Sequence, residues 1–261
     1  MNHTLVIREK IGRVGIIKLN DPERRNPLTN TMVVSLIEAI DVFDADIEVG
    51  AIVITGNGNS FSAGGDLQNF SKLSNASAVD LLEEGNLSVQ FFNKAKYTTK
   101  PLIAAVNGYA LGGGLGLIAM CDIGIASTKA KMGTTEIKIG GFPLVIMPLL
   151  LRTLGEKKTL ELSLTGKLMD ANEAKQYGVV SQVVEHEQLM DHVLAVASEI
   201  ASYSPLAIKL CKKAFYDIRD MSIEDSLQYM ASLRVTTFLS KDLQEGATAF
   251  IEKRQPIWKG R

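Results

Sequence analysis

The alternation of apolar and polar positions divides the chain into short elements. Leu5 and Ile7, then Val14, Ile16, Ile17 and Leu19, read as two strands around a Gly12-Arg13 turn. Asn20-Asp21-Pro22-Glu23 breaks that pattern and opens a loop. Val33, Leu36, Ile37, Ile40 and Phe43 recur at helical spacing, which predicts a helix capped by Thr29 or Asn30. Ala51–Thr55 is a continuous apolar run ending in Gly56-Asn57-Gly58; Leu102–Val106 is a second such run and Asp122–Ala126 a third. Strands apolar on both faces suit a sheet covered on both sides. Residues 71–96 read as a helical segment of unfixed register. From residue 143 the pattern turns mostly helical, over 144–154, 156–163, 171–177 and 186–203, with a short strand near Val179–Val184. Beyond a break at Ser202–Pro205, helices are predicted over 206–217, 223–239 and 241–253, with no strand signal past residue 184. The expectation is an α/β body over residues 1–200 and a helical piece over 201–261.

Composition narrows the function classes. The 261 residues carry 28 basic and 29 acidic side chains, for a net charge of −1, and are 46% hydrophobic and 22% charged. These values exclude a disordered chain, a collagen-like repeat and a disulfide scaffold. Balanced charge disfavours a nucleic-acid binder, which needs a surplus of Lys and Arg. Cys121 and Cys211 form no CxxC, so a reducing, cytoplasmic setting is expected. Met1–Thr4 lacks the basic-then-apolar pattern of a signal peptide. Pro101–Cys121 is a run of 21 residues without charge, long enough to cross a bilayer. Its five glycines, Gly108, Gly112, Gly113, Gly114 and Gly116, disfavour a spanning helix. The run reads instead as a buried strand, a turn and a short helix, with no membrane partner.

Glycine placement points to the chemistry. Five of the 22 glycines fall in residues 50–65 and nine in 107–141, and both clusters follow an apolar strand and precede a predicted helix. Such junctions aim backbone N–H groups at a carbonyl oxygen or an anion. The familiar phosphate motifs are missing: Leu117 stands where a GxGxxG would need its third glycine, and there is no GxxxxGK[ST]. There is no GxSxG elbow, and the histidines are His3, His186 and His192 alone, so neither a zinc cluster nor a serine-hydrolase triad is expected. His186 and His192 read as solvated side chains on one helix, and Cys121 as a buried thiol.

Ser60-Phe-Ser-Ala-Gly-Gly-Asp-Leu67 resembles the F-[CSA]-A-G-x-D-[IL] signature of the crotonase (enoyl-CoA hydratase/isomerase) superfamily. Pro101–Gly114, followed by Cys121-Asp122, is similar to its second signature. Leu19–Leu28, Thr165–Val180, Ser204–Ala207 and Phe250–Pro256 match in the expected order. The resemblance implies a spiral of ββα units followed by a C-terminal helical oligomerisation region, assembled as a homotrimer or a dimer of trimers. It implies an acyl-CoA thioester substrate, no further cofactor and no metal. The backbone N–H groups of Gly65 and Gly113 would form an oxyanion hole for a thioester enolate.

The family's proton chemistry uses glutamates at two places. One is matched by Glu136, in Thr134-Thr135-Glu136; at the other, three residues after Gly113, this chain has Gly116. Burial beside Met132, Ile137 and Ile139 would raise the Glu136 pKa toward the range of a general acid/base, whereas an ordinary strand-end glutamate would pair with Lys138. A single glutamate suits 3-enoyl to 2-enoyl isomerisation, yet single-glutamate members resembling hydratases also occur. Decarboxylation, thioester hydrolysis and non-catalytic CoA binding keep the same glycines. Phe142, Leu144, Val145 and Met147 suit either an apolar acyl group or a helix core. Arg24, Arg25 and Lys253, with Arg254, are candidate CoA phosphate partners. Ala63, Gly65, Asp66, Leu67, Gln68, Gly112 and Gly113 complete the expected acyl-CoA contacts.

Overall fold

The computed structural model describes residues 4–66 and 76–261. Strands β1 (Val6–Ile11) and β2 (Val14–Leu19) form an antiparallel hairpin turning at Gly12, whose φ is +55°. After β3 (Pro27–Leu28) comes α1 (Asn30–Ala45), capped by Thr29, whose Oγ1 accepts the Met32 N–H at 3.0 Å. The next elements are β4 (Ala51–Gly56), β5 (Ser60–Ser62), β6 (Gly64–Gly65), α2 (Ala78–Phe92) and α3 (Lys94–Tyr97). The uncharged run becomes β7 (Leu102–Val106), β8 (Tyr109–Leu111) and α4 (Gly113–Met120). Then follow β9 (Ile123–Ser127), β10 (Lys131–Gly133), α5 (Met147–Thr165), β11 (Leu168–Asp170), α6 (Ala171–Gln176), β12 (Gln182–Val184) and α7 (Leu189–Ala201).

The chain winds between two main sheets. Among the described residues, β1-β2-β4-β7-β9-β12 form one sheet and β11-β10-β8-β5 the other, while β3 and β6 pair separately. Each of β4, β7 and β9 lies in the large sheet, and the strand that follows it, β5, β8 or β10, crosses to the small one. A helix then returns the chain to the next turn, which is the ββα spiral that the resemblance implied. The continuous apolar strands follow from this position. Alternate side chains point to opposite faces. Ile52 and Ile54 thus enter the core shared with α1 and α4, and Ala51 and Val53 pack with Leu189, Val193 and Ala197 of α7.

The helical predictions meet particular physical stops. The predicted break between 154 and 156 is Gly155, non-helical at φ 73°, inside α5. Past α7, the described chain consists of α8 (Pro205–Ile218), α9 (Ile223–Leu239), α10 (Lys241–Glu252) and a tail. Asp122 ties α8 to the body: it accepts the Leu102 N–H at 2.7 Å, the Tyr216 hydroxyl at 2.9 Å and the Lys212 ammonium. Buried Asp242 holds the tail by accepting the N–H groups of Lys259 and Gly260. No single helix among the described residues is long and apolar enough to cross a membrane. His186 and His192 are less solvated than expected. His186 Nδ1 lies 2.9 Å from Ser127 Oγ and His192 Nε2 2.5 Å from Gln182 Oε1, on different elements.

Candidate active site

Two glycine turns meet at the centre of the spiral. Gly112 caps α4 in a conformation (φ 50°, ψ −117°) that a side chain would strain, so Gly113 begins the helix with an N–H that has no partner within the helix. The Gly112 N–H itself is used, donating to Gly133 O at 2.9 Å. Against this turn lies β6. A Cβ on Gly64 would fall 2.9 Å from the Gly113 nitrogen, and one on Gly113 would fall 3.8 Å from the Gly65 nitrogen. The two backbones are in contact because neither carries a side chain there.

The loop carrying Gly65 is fixed from behind by Asn26. This side chain is fully buried, and its Nδ2 donates to Asn57 O and Ser60 O, each at 2.9 Å, while Oδ1 accepts the Asp21 N–H at 2.8 Å. Ser62 Oγ donates to Asn26 O at 2.8 Å and accepts the Gly64 N–H at 3.2 Å. Asn26 was quoted within a matching segment but given no role in the sequence reading. Its φ of 55° and its burial appear only in the structure, and the sequence offers no more than an asparagine before Pro27.

Gly65 and Gly113 open onto a cavity of about 450 Å³ that Glu136 also lines. Glu136 begins a short 3₁₀ turn, Glu136–Ile139, directly after β10. A Cβ on Gly112 would lie 2.6 Å from Glu136 Oε1, so the missing side chain at 112 makes room for the carboxylate. The other oxygen, Oε2, is buried without a hydrogen-bond partner. Desolvation raises the Glu136 pKa, and hydrogen bonds from the backbone N–H groups of Glu136 and Thr135 partly offset it. The sequence attributed this burial to Met132, Ile137 and Ile139. Met132 is buried, but Ile137 and Ile139 are exposed. No ion pair joins Glu136 to Lys138 among the described residues.

The space beside Gly116 is occupied. A Cβ there would collide with Ile146 Cγ2 and lie 2.9 Å from Ile146 Cβ and 3.0 Å from Phe92 Cε1. Apolar core atoms therefore hold the ground that a second carboxylate at 116 would need.

The family model for enoyl-CoA hydratase/isomerase matches residues 9–261. The chain belongs to the enoyl-CoA hydratase/isomerase family. Among its relatives, "Enoyl-CoA hydratase, mitochondrial" of Pongo abelii is 36% identical over 262 residues, covering 99% of this chain and 89% of that one. "Probable enoyl-CoA hydratase, mitochondrial" of Dictyostelium discoideum is 39% identical over 254 residues, covering 97% and 90%. Among solved structures, an enoyl-CoA hydratase subunit I from Geobacillus kaustophilus superposes with a TM-score of 0.91 at 35% identity, covering all of both chains. An enoyl-CoA hydratase from Mycobacterium smegmatis superposes at 0.92 with 29% identity, over 98% of this chain and 99% of that one. The fold is thus that of the crotonase group.

Within this family frame, the expected site residues separate into two sets. Gly65, Asp66, Gly113, Glu136 and Phe142 line one cavity, with Leu144 and Val145. Ile146 lines it as well, whereas Met147, the first residue of α5, does not. Ala63 spends its N–H on Arg25 O at 2.8 Å. Arg24 pairs with Asp66, Nη2 to Oδ1 at 2.9 Å; Arg25 is exposed. Lys253, in the left-handed conformation that ends α10, is exposed and does not line the cavity. Its neighbour Arg254 is held by Glu245, whose own pKa that contact lowers to about 2. Leu67 and Gln68 lie outside the described residues. Among the described residues, no group of three or more His, Cys, Asp and Glu is placed to hold a metal ion.

Proposed function

We propose that the protein is an acyl-CoA enzyme that moves the double bond of a 3-enoyl-CoA to the 2-position, with Glu136 as the proton carrier. The observation that carries this reading is the buried, unpartnered Glu136 Oε2 in the cavity shared by Gly65 and Gly113, next to a Gly116 position filled by Ile146 and Phe92. The Glu136 carboxylate removes a proton from C2, and the C–H electrons delocalise into the thioester carbonyl. The N–H groups of Gly65 and Gly113 donate to the enolate oxygen, where a lost donor typically costs about 10²–10³ in rate. The protonated Glu136 then delivers the same proton to C4, and the electrons return to form the C2–C3 double bond. No water is consumed, and one carboxyl group serves both steps.

Hydration of a 2-enoyl-CoA is the second reading, favoured by the hydratase names of the relatives. With Gly116 in place of the family's other glutamate, Glu136 would have to serve both water and C2. Arg24, Arg25 and Lys253 are proposed to meet the CoA phosphates, and the backbone of 63–66 to run beside the thioester. The test is turnover of 3-enoyl- and 2-enoyl-CoA in H₂¹⁸O, read by ultraviolet absorbance and mass spectrometry. The expected result is 3-enoyl to 2-enoyl conversion without ¹⁸O, abolished in Glu136→Gln with binding retained. Efficient ¹⁸O incorporation from 2-enoyl-CoA would establish hydration instead.

A further inference from the structure

We infer that Gly85 sets the length of acyl chain that the cavity accepts, admitting straight chains that cross the bare backbone of α2. The inference rests on the acyl-CoA reading above. Helix α2 starts with a capping box, Ser77 and Asp80 exchanging hydrogen bonds, and presents Leu81, Glu84, Gly85, Ser88, Phe91 and Phe92 to the cavity. These positions recur at helical spacing, so one face of α2 forms the wall.

Gly85 is the eighth of the fifteen residues of this helix, where glycine costs stability relative to alanine. Its backbone does not require glycine, since it is not among the positive-φ positions. Packing against the described residues does not require it either: a Cβ at 85 would meet none of them within 4 Å. The glycines at 64, 112 and 116 are explained by contacts that a side chain would break. Among the described residues, what Gly85 leaves is space in the cavity wall.

That space lies at a useful distance from the chemistry. Phe92 touches the α4 position Gly116, three residues beyond Gly113. From Phe92 back to Gly85 the helix runs about 10 Å, the reach of a straight chain of roughly eight carbons. Leu81, one turn further, lines the cavity and is exposed, so the wall continues to the surface. Phe142 and Leu144 supply apolar lining as well.

The experiment compares the full-length protein with Gly85→Ala and Gly85→Leu, titrated by calorimetry with the saturated thioesters butanoyl-CoA and octanoyl-CoA. These ligands lack the double bond that the proton shift rearranges, so binding is read apart from turnover. Gly85→Leu is expected to weaken octanoyl-CoA about tenfold, equivalent to about two methylenes kept out of the cavity. Butanoyl-CoA should bind it as it binds the wild type. Gly85→Ala should melt no lower than the wild type, since alanine is the better helix former. Equal weakening of both ligands by Gly85→Leu, or no weakening of either, overturns the inference and leaves the acyl-CoA reading standing. A wild-type protein that binds neither thioester overturns both.

Discussion

At the scale of single residues, the burial of Glu136 has a thermodynamic signature apart from catalysis. Its native pKa is raised, chiefly by desolvation, so the folded state favours the protonated form. A group of this sign contributes stability below its unfolded pKa and loses it as pH rises through the native pKa. Glu136→Gln removes the ionisable group, so the variant is expected to melt above the wild type at pH 7. The gap should close as pH falls to the ordinary carboxyl range, about 4.3. Thermal melts across that interval check this, and a variant melting lower at neutral pH would contradict it. Glu136 and the two glycines were legible in the sequence because each lies in a contiguous motif beside an apolar strand. The roles of Asn26 and Ile146 were not, since both depend on partners many residues away, such as Ser60 and Gly116.

Among the elements, the join between α8 and the body depends on one carboxylate. Asp122 gathers a backbone N–H, the Tyr216 hydroxyl and the Lys212 ammonium, and Lys212 also donates to Lys100 O at 2.8 Å. Both ends of the pair are mostly buried, at 10% and 16% side-chain exposure. Removing one partner leaves the other charge uncompensated, at a cost of about 3–5 kcal/mol. Asp122→Ala is therefore expected to lower the urea midpoint strongly, and Asp122→Asn, which keeps acceptor capacity, by less. A midpoint unchanged in both would exclude this role. The longer helices were legible because their apolar spacing persists over several turns, and Gly155 marked its own break. The strands of the small sheet have three residues each, too few to show a period, so they emerge only from pairing with one another.

For the whole molecule, the C-terminal helices leave a large apolar surface. Ile223, Leu227, Val235, Phe238, Leu239, Phe250 and Ile251 are each more than half exposed. Exposed apolar side chains gathered on two helices point to an interaction surface. We propose that copies of the chain cover it, as a trimer or a dimer of trimers. Sedimentation at three or six times the 28.3 kDa protomer mass is the expected outcome, and an active monomer at micromolar concentration would refute it. The α/β class was legible from the order of apolar runs. The alternation of strands between two sheets was not, because no local pattern records which sheet a strand joins.

The contact between Gly116 and its neighbours also bears on the mutational routes open to this chain. A carboxylate gained at 116 by one substitution would have to displace Ile146 and Phe92, which crowd the Cβ position there. Overpacking a buried site of this kind typically costs about 1–3 kcal/mol. A second acid would need smaller side chains at 146 or 92 to arise first, and each of those changes alone leaves a void. The three positions are therefore expected to be coupled, the cost of an acid at 116 depending on the side chains at 146 and 92.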